Sequence, residues 1–336
     1  MKRAVVLSLA MSIGVLAGTA LPVQAETAAP TASPVPAAAP EGPRITVLAD
    51  GFSPLGSRDI VTMGLNGGSP QTVIEEAGWS RPTWSADGSL LTFGAYGGRS
   101  GEVVAVAEAA NPGIRFLRRA SLEGGNPVMA PDGDTVAYSY KGSAWLLDVT
   151  SGLVRRATPW RLRTDFEPSA FSPDGSKLAG TTSPGAGFGD AVAVDLRTGH
   201  VSLLAREASD PVYSPDGSEV AFLRWKNWRT TWIDDGSPPI DELRVTRVGS
   251  FPRSRLLQRS HKLLVWPSWD PSGQRLAFIR TRVVENGYTD PKKGDALMAI
   301  NSDGTCLKKV FTDREATLYS AAWQPGPGRE AGPIAC

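Results

Sequence analysis

Short apolar runs alternate with polar turns along most of this chain, and one arrangement of the two recurs. In the segment FSPDGSKLAG, Phe171 to Gly180, a bulky apolar residue precedes the turn 173–176 and the apolar pair Leu178-Ala179 follows it. Proline presets φ at the second turn position, and glycine accepts a positive φ. The segment therefore predicts two strands joined by a tight turn.

Four more full copies of this hairpin and one shortened copy occur along the sequence. They are Trp84–Phe93, Met129–Tyr138, Tyr213–Phe222, Trp269–Phe278 and the shortened copy that begins at Trp323. Successive copies begin 42 to 56 residues apart, and two further apolar runs follow most of the full hairpins. Repeats of about 40–50 residues with four strands each are typical of a β-propeller.

The shortened copy predicts how the ring closes. It supplies only the first strand of a blade, and three further runs lie near the other end of the chain, at Ile45–Leu48, Asp59–Leu65 and Gln71–Glu75. Pairing the two ends removes the open sheet edges. We therefore predict an all-β fold, a six-bladed β-propeller with four antiparallel strands per blade, whose sixth blade combines N- and C-terminal strands.

The N-terminal segment has the pattern of a signal peptide. Lys2-Arg3 precedes the apolar stretch Ala4–Leu21, and a small-x-small cleavage site ends at Ala25. Residues 26–43, rich in alanine and proline, predict a disordered tether, and residues 44–336 a single propeller domain. No cysteine stands where a lipid would be attached. We expect an exported protein, extracellular or periplasmic, with neither a lipid anchor nor membrane insertion.

Charge and composition narrow the range of functions that the sequence supports. The formal net charge is +1, from 35 basic and 34 acidic residues, which argues against a nucleic-acid partner. The chain has two histidines and none of the common nucleophile, phosphate-loop or zinc motifs. The sequence therefore predicts no catalytic residue, no cofactor and no metal site. The aspartates of the repeated turns, such as Asp174, are predicted to cap those turns.

The repeat P-x-W-S-P-D-G-x-x-L-A-F resembles the WD-like repeat of TolB-type β-propellers. The resemblance covers nearly all of the chain after Pro43, although only a short tether precedes the ring where TolB proper has an α/β domain. It implies the propeller architecture. Such propellers serve as periplasmic scaffolds, as non-catalytic domains of peptidases and sometimes as lyases, so the resemblance leaves the function open.

One candidate site is a long loop of the blade that contains Tyr213. Loops between the second and third strands share a face with the connections between blades; we call it the top face, and the tight turns lie on the bottom face. The loop from Arg224 to Pro239 interleaves aromatic and basic residues, which are enriched in binding hot spots. The candidate residues are Trp225, Trp228, Arg229 and Trp232. The alternative is that these tryptophans pack the loop onto its blade.

A second candidate site is the top mouth of the central channel. Residues just before the first strand of each blade should line this mouth, and convergent polar groups around an opening favour ligand binding. The candidates are Arg81, Asn126, Glu167, Asp210 and Trp266. The alternative is a channel filled with water.

The two cysteines, Cys306 and Cys336, predict a disulfide. Cys306 follows a tight turn on the bottom face, and the tail after Trp323 leaves the ring on the same face. An exported protein meets oxidising conditions, which favour the bond. The alternative is that Cys336 is free or pairs between chains.

These observations favour a monomeric, non-catalytic scaffold that binds a protein or a cell-envelope glycan through its top face. Two alternatives remain at this point. One is a polysaccharide-directed lyase or hydrolase with its site at the channel mouth, and the other is a sugar-sensing propeller. The scarcity of histidine and the lack of a nucleophile motif disfavour the enzyme.

Overall fold

In this computed structural model, six four-stranded antiparallel sheets surround a central channel as the blades of a propeller. The structure describes residues 42–50, 58–68, 70–78, 80–96, 101–109, 113–121, 126–162, 164–183, 189–226, 240–281, 295–313, 316–326 and 332–336. For residues 118–121, 225, 226 and 240 it describes the backbone alone. The predicted signal peptide and most of the predicted tether lie outside the described residues.

The strands are numbered along the chain, and each blade is numbered by the order of its innermost strand. The N-terminal strands are β1 (Arg44–Asp50), β2 (Arg58–Gly64) and β3 (Gln71–Ile74). Blade 1 contains β4 (Thr83–Trp84), β5 (Leu90–Tyr96), β6 (Glu102–Glu108) and β7 (Ile114–Ser121). Blade 2 contains β8 (Val128–Met129), β9 (Thr135–Tyr140), β10 (Ser143–Asp148) and β11 (Val154–Arg156). Blade 3 contains β12 (Asp165–Phe171), β13 (Lys177–Ser183), β14 (Ala191–Asp195) and β15 (Val201–Ala205).

The remaining blades follow the same order. Blade 4 contains β16 (Ala208–Tyr213), β17 (Glu219–Lys226), β18 (Ile240–Arg247) and β19 (Arg255–Ser260). Blade 5 contains β20 (Leu263–Trp269), β21 (Arg275–Thr281), β22 (Ala296–Asn301) and β23 (Lys308–Thr312). Blade 6 joins the C-terminal β24 (Thr317–Gln324) to β1, β2 and β3.

The two ends of the chain close the ring, as the shortened repeat predicts. β24 pairs antiparallel with β1, and Trp323 lies opposite Ile45 in the register. β24 begins at Thr317, six residues before Trp323, because Thr317–Tyr319 also pair or bulge against β1. The closing strand is therefore a complete inner strand of the ring.

The middle strands of the blades are buried on both faces. In β6 all five residues from Val103 to Ala107 are buried, and in β1 the six residues from Arg44 to Ala49 are buried. Each sheet packs against a neighbour on both sides, so these strands are continuous apolar runs rather than alternating ones. The outermost strands differ: Val154 and Arg155 of β11 are exposed, which suits a charged outer edge.

The repeated turns are capped by their own side chains. In blade 3, Asp174 Oδ1 accepts hydrogen bonds from the Ser176 backbone N–H at 3.1 Å and from Ser172 Oγ at 2.5 Å. Ser172 Oγ in turn accepts one from Lys177 N at 2.9 Å. Gly175 has a φ of 69°. Asp174 therefore has the hydrogen bonds expected of a turn cap.

The C-terminal tail is fixed to the bottom face of blade 5. Cys306 and Cys336 form the predicted disulfide, with their Cα atoms 5.0 Å apart. The Asn301 side-chain amide also binds the tail, since Nδ2 donates to the Ile334 carbonyl at 3.0 Å and Oδ1 accepts from Ile334 N–H at 2.7 Å. Together these contacts hold the segment that follows the ring-closing strand.

Candidate functional site

The five predicted mouth residues come from five different blades. Arg81 and Asn126 precede β4 and β8, as expected, whereas Glu167, Asp210 and Trp266 lie inside β12, β16 and β20. The difference arises because these three strands extend further toward the top face and carry a register shift at this level. Bulges of this kind redirect side chains. Asp210 and Trp266 have positive φ angles of 52° and 56°, which is uncommon for residues other than glycine.

Arg81 is the centre of the mouth. Its residue is 6% exposed. Its Nη2 donates to the carbonyl oxygen of Ser169 across the ring at 2.7 Å, and its guanidinium carbon lies 4.6 Å from the centroid of the Trp266 ring. One side chain from blade 1 thus contacts blades 3 and 5.

Asn126 links Arg81 to Glu167. Its Oδ1 accepts a hydrogen bond from the Arg81 backbone N–H at 2.9 Å, and its Nδ2 donates to Glu167 Oε1 at 2.7 Å. Asn126 is buried, whereas Glu167 is exposed at the surface of the mouth. The hydrogen bonds therefore position one carboxylate of the mouth from a buried support.

Asp210 supplies the second carboxylate. Its Oδ2 accepts from Ser209 Oγ at 3.0 Å, and its backbone N–H donates to Thr181 Oγ1 at 3.1 Å. Burial raises the pKa of Asp210, and the nearby Arg81 partly opposes that rise. Burial likewise lowers the pKa of Arg81, against the attraction of Asp210 and Glu167. The mouth therefore holds one exposed carboxylate, Glu167, and the less solvated carboxylate of Asp210 near one buried guanidinium.

The predicted tryptophan loop cannot be placed beside this cluster. Trp228, Arg229 and Trp232 lie outside the described residues, and only the backbone of Trp225, at the end of β17, is described. Their role in binding stays a prediction.

Sequence reasoning missed an exposed aromatic residue outside the mouth, next to the turn of blade 3 that contains Gly199. Trp160 lies in the connection between blades 2 and 3 and is 83% exposed. The guanidinium of Arg156 stacks 4.0 Å from its ring centroid. No repeat pattern marks this connection, and a tryptophan beside arginines was its only signal. The Ser169 carbonyl that binds Arg81 was also missed, because a backbone acceptor has no sequence signal.

Neither histidine joins the cluster. His200, in a bottom turn, and His261, between β19 and β20, are both exposed. Within the described ranges, no three His, Cys, Asp or Glu side chains are grouped so that they could hold a metal ion. The described part of the chain also contains no helix with the length and apolarity needed to span a membrane.

The fold is similar to that of several solved propellers. TolB from Acinetobacter baumannii aligns with 84% of this chain and 67% of its own, with a TM-score of 0.67 and 18% identity. A putative TolB from Agrobacterium tumefaciens aligns over 84% and 99%, with a TM-score of 0.60 and 17% identity. A chain of the nidogen/laminin complex aligns over 84% and 98%, with a TM-score of 0.60 and 10% identity.

No family model and no curated protein matches the sequence. The structural likenesses show that the chain has a TolB-like six-bladed propeller fold. At these identities they do not carry over a function, which must be argued from the site.

Proposed function

We propose that this protein is an exported, non-catalytic β-propeller scaffold that binds a protein partner through its top face. The partner would place a basic or hydrogen-bond-donating side chain in the channel mouth. One observation carries the proposal: five blades each contribute a different residue to a single opening, around the buried guanidinium of Arg81.

The charges of the mouth favour a donor or a cation on the partner. Glu167 is exposed and Asp210 half-buried, so two carboxylates face the opening against one guanidinium. Arg81 already donates to a backbone carbonyl and stacks on Trp266. A partner's basic group would therefore complete the charge balance, and steering by complementary charge aids such encounters.

Trp266 adds aromatic contact area at the mouth, and tryptophan and arginine are enriched in interface hot spots. The loop with Trp225, Trp228 and Trp232 is proposed to extend this surface. The nidogen/laminin structure offers a similar propeller from a protein complex, which supports the general role. Export rests on the N-terminal sequence pattern.

A photo-cross-linking amino acid tests the proposal in the producing cell. It would replace Lys141, which is exposed in the short top-face loop between β9 and β10, or, as a matched control, Leu153 in a bottom turn of the same blade, which is 68% exposed. We expect a defined protein adduct from position 141 and not from position 153. The yield should fall when Glu167→Gln and Asp210→Asn are added and melting is unchanged.

Two results would contradict the protein-binding role. Equal adducts from both positions, or none from position 141, would remove the top face as the docking surface. Binding of the purified protein to a glycan array, without a protein adduct and with sensitivity to Glu167→Gln, would assign the mouth to a glycan instead.

A further inference from the structure

The lower outer edge of blade 2 carries the two most exposed large apolar side chains among the described residues. Trp160 is 83% exposed and Leu153 is 68% exposed, ahead of Tyr96 at the top end of β5, which is 50% exposed. Val154, next to Leu153, is exposed as well. These three edge residues form a rim patch together with Arg155, Arg156 and Arg161. Exposed apolar side chains that cluster in this way mark interaction sites, whereas single ones do not.

The turn before β11 does not itself require an apolar residue at position 153. The Gly152 N–H donates to the Asp148 carbonyl at 2.9 Å, and the equivalent hydrogen bond in the same turn of blade 3 is 2.8 Å long. In blade 3 the position of Leu153 is occupied by His200. The turn therefore forms with a polar residue at this position, and Leu153 is exposed apolar surface that the fold does not need.

Trp160 projects from a second tight turn. The Leu162 N–H donates to the Pro159 carbonyl at 3.0 Å, which puts Trp160 at one of the two central positions of that turn. The Arg156 guanidinium carbon lies 4.0 Å from its ring centroid, and Arg156 Nε donates to Thr158 Oγ1 at 3.3 Å. The stacking therefore holds the ring on one side and leaves most of its surface in solvent.

The rim patch lies near the bottom face, away from the channel mouth. A Cβ added to Gly199, in the bottom turn of blade 3, would stand 3.7 Å from the Pro159 Cβ. The turn that carries Trp160 is thus beside that bottom turn, and Leu153 ends the bottom turn of blade 2. Both apolar tips can therefore meet a partner that leaves the top face open.

The charge of the rim patch is positive. Residues 149–164 contain four arginines and no acidic residue. Arg155 and Arg161 are exposed, and neither they nor Arg156 form an ion pair with a carboxylate of the described chain. Of the two flanking carboxylates, Asp148 caps its own turn and Asp165 begins β12 at the top. A partner for this surface should therefore be anionic.

Shape decides between an anionic membrane and an acidic protein. Peptides dock in grooves or along sheet edges, whereas Trp160 stands out from its turn with little around it. The headgroup region of a bilayer can surround such a projecting side chain, because tryptophan favours this region and aliphatic side chains reach the acyl boundary. Each arginine near an anionic leaflet adds about fivefold to the binding.

We propose that the rim patch binds the surface of an anionic phospholipid bilayer, with Trp160 and Leu153 at headgroup level and the arginines beside the phosphates. The contact is peripheral and needs no segment that crosses the bilayer. It is separate from the top mouth, so it goes beyond the partner binding proposed above. Leu153 would then face lipid, which yields no protein adduct from that position.

Vesicle sedimentation with the purified protein tests the proposal. Vesicles of phosphatidylcholine and phosphatidylglycerol in equal amounts are compared with vesicles of phosphatidylcholine alone, at low and at high salt. We expect binding to the anionic vesicles that weakens at high salt, because salt screens the exposed arginines. Lipids with brominated acyl chains should quench part of the tryptophan fluorescence, and Trp160→Phe should remove that quenching.

Matched arginine variants separate the rim patch from the total charge. Arg155→Gln combined with Arg161→Gln should weaken binding to anionic vesicles about 20- to 30-fold at low salt. Arg115→Gln combined with Arg206→Gln removes two exposed charges elsewhere and should weaken binding by less than about twofold. All four side chains are exposed, so the melting temperature should stay unchanged in both variants.

A matched aromatic pair tests the apolar part of the contact. Trp160→Ala should weaken binding about 10-fold, because a large apolar side chain no longer enters the interface. Tyr96→Ala, at an exposed aromatic residue far from the rim patch, should leave binding unchanged.

Three outcomes overturn the proposal. No binding to anionic vesicles, or equal losses from the two arginine pairs, would remove the rim patch as a membrane site. Binding unaffected by Trp160→Ala, or quenching that persists in Trp160→Phe, would place the lipid contact elsewhere on the protein. Binding of a glutamate-rich peptide, without vesicle binding and with sensitivity to Arg155→Gln and Arg161→Gln, would assign the patch to an acidic protein instead.

Discussion

The two ends of the molecule place the same side chain in opposite environments. At the bottom, Asp174 is exposed and accepts hydrogen bonds from two serines of its own turn, which lower its pKa to about 2. At the top, Asp241 is fully buried at the start of β18, and burial raises its pKa to about 7. Burial also raises the pKa of Asp210 at the channel mouth.

The contrast separates carboxylates that belong to the repeated turn from carboxylates that occur at single positions on the top face. The bottom carboxylates belong to a turn that recurs: Asp87 and Asp216 accept the same serine hydrogen bonds as Asp174. At the top mouth, five of the six blades each contribute a different residue, and the charges that are buried there lie in one cluster. Where a repeat protein departs from its repeat at a costly position, a binding role is the simplest physical reason.

The largest effect is expected for a buried residue of the strand that closes the ring. Trp323→Ala should lower the free energy of unfolding by about 3–5 kcal/mol, because the side chain is almost fully buried in the closing strand. Trp266→Ala, at the half-buried top mouth, should cost only about 1–2 kcal/mol through its stacking with Arg81. Urea unfolding compares the two variants, and equal losses of stability would contradict the distinction between the closing strand and the mouth.

The disulfide at the bottom face should rank next. It closes a segment of 30 residues, so replacing both Cys306 and Cys336 by alanine should cost roughly 3–4 kcal/mol in the chain-entropy account. Thermal melting with and without reductant measures the loss. Reductant should lower the melting temperature of the original protein and leave the double variant unchanged. A wild-type melt insensitive to reductant would show that the tail adds nothing to closure.

Alanine substitutions at two turn glycines separate the backbone strain of the turn from the contact with the ring-closing segment. Gly88 and Gly175 have φ angles of 70° and 69°, so alanine is strained at both, by about 1–2 kcal/mol. A Cβ on Gly175 would meet open space, whereas one on Gly88 would collide with the Pro325 carbonyl after the closing strand. Gly88→Ala should therefore cost about 1–3 kcal/mol more than Gly175→Ala. Equal costs would mean that the C-terminal segment can move away freely.

The sequence predicted the ring well and its mouth only in part. The Pro-Asp-Gly turns recur because each blade needs the same tight reversal, so spacing alone located hairpins and even the split sixth blade. The mouth residues were identified, but the bulges that bring Glu167, Asp210 and Trp266 inside their strands depend on packing between blades.

The smallest expected effect is the pH dependence of stability that the buried carboxylate of Asp241 causes. Asp241 Oδ2 accepts from Leu264 N–H at 2.7 Å, while Oδ1 has no partner within the described part of the chain. Its folded pKa, about 7, lies above the unfolded value of 3.8, so the folded state holds a proton that the unfolded state has lost. Stability therefore falls as pH rises from about 4 to 7, and the penalty is complete above that range.

Between pH 6 and pH 8 the titration of Asp241 should lower the free energy of unfolding by about 1.4 kcal/mol, because its folded pKa lies in the middle of this interval. Asp241→Asn keeps the shape and the acceptor for Leu264 but cannot ionise, so it should remove that loss and be more stable than the original protein at pH 8.

Asp174→Asn is the matched control on the bottom face. Its lowered pKa stabilises the fold above pH 4 and loses that effect only as pH falls toward 2, so it should leave the difference between pH 6 and pH 8 unchanged. Urea unfolding at both pH values measures all three proteins, and an Asp241→Asn variant with the original pH dependence would show that the buried top carboxylate is not the group that titrates.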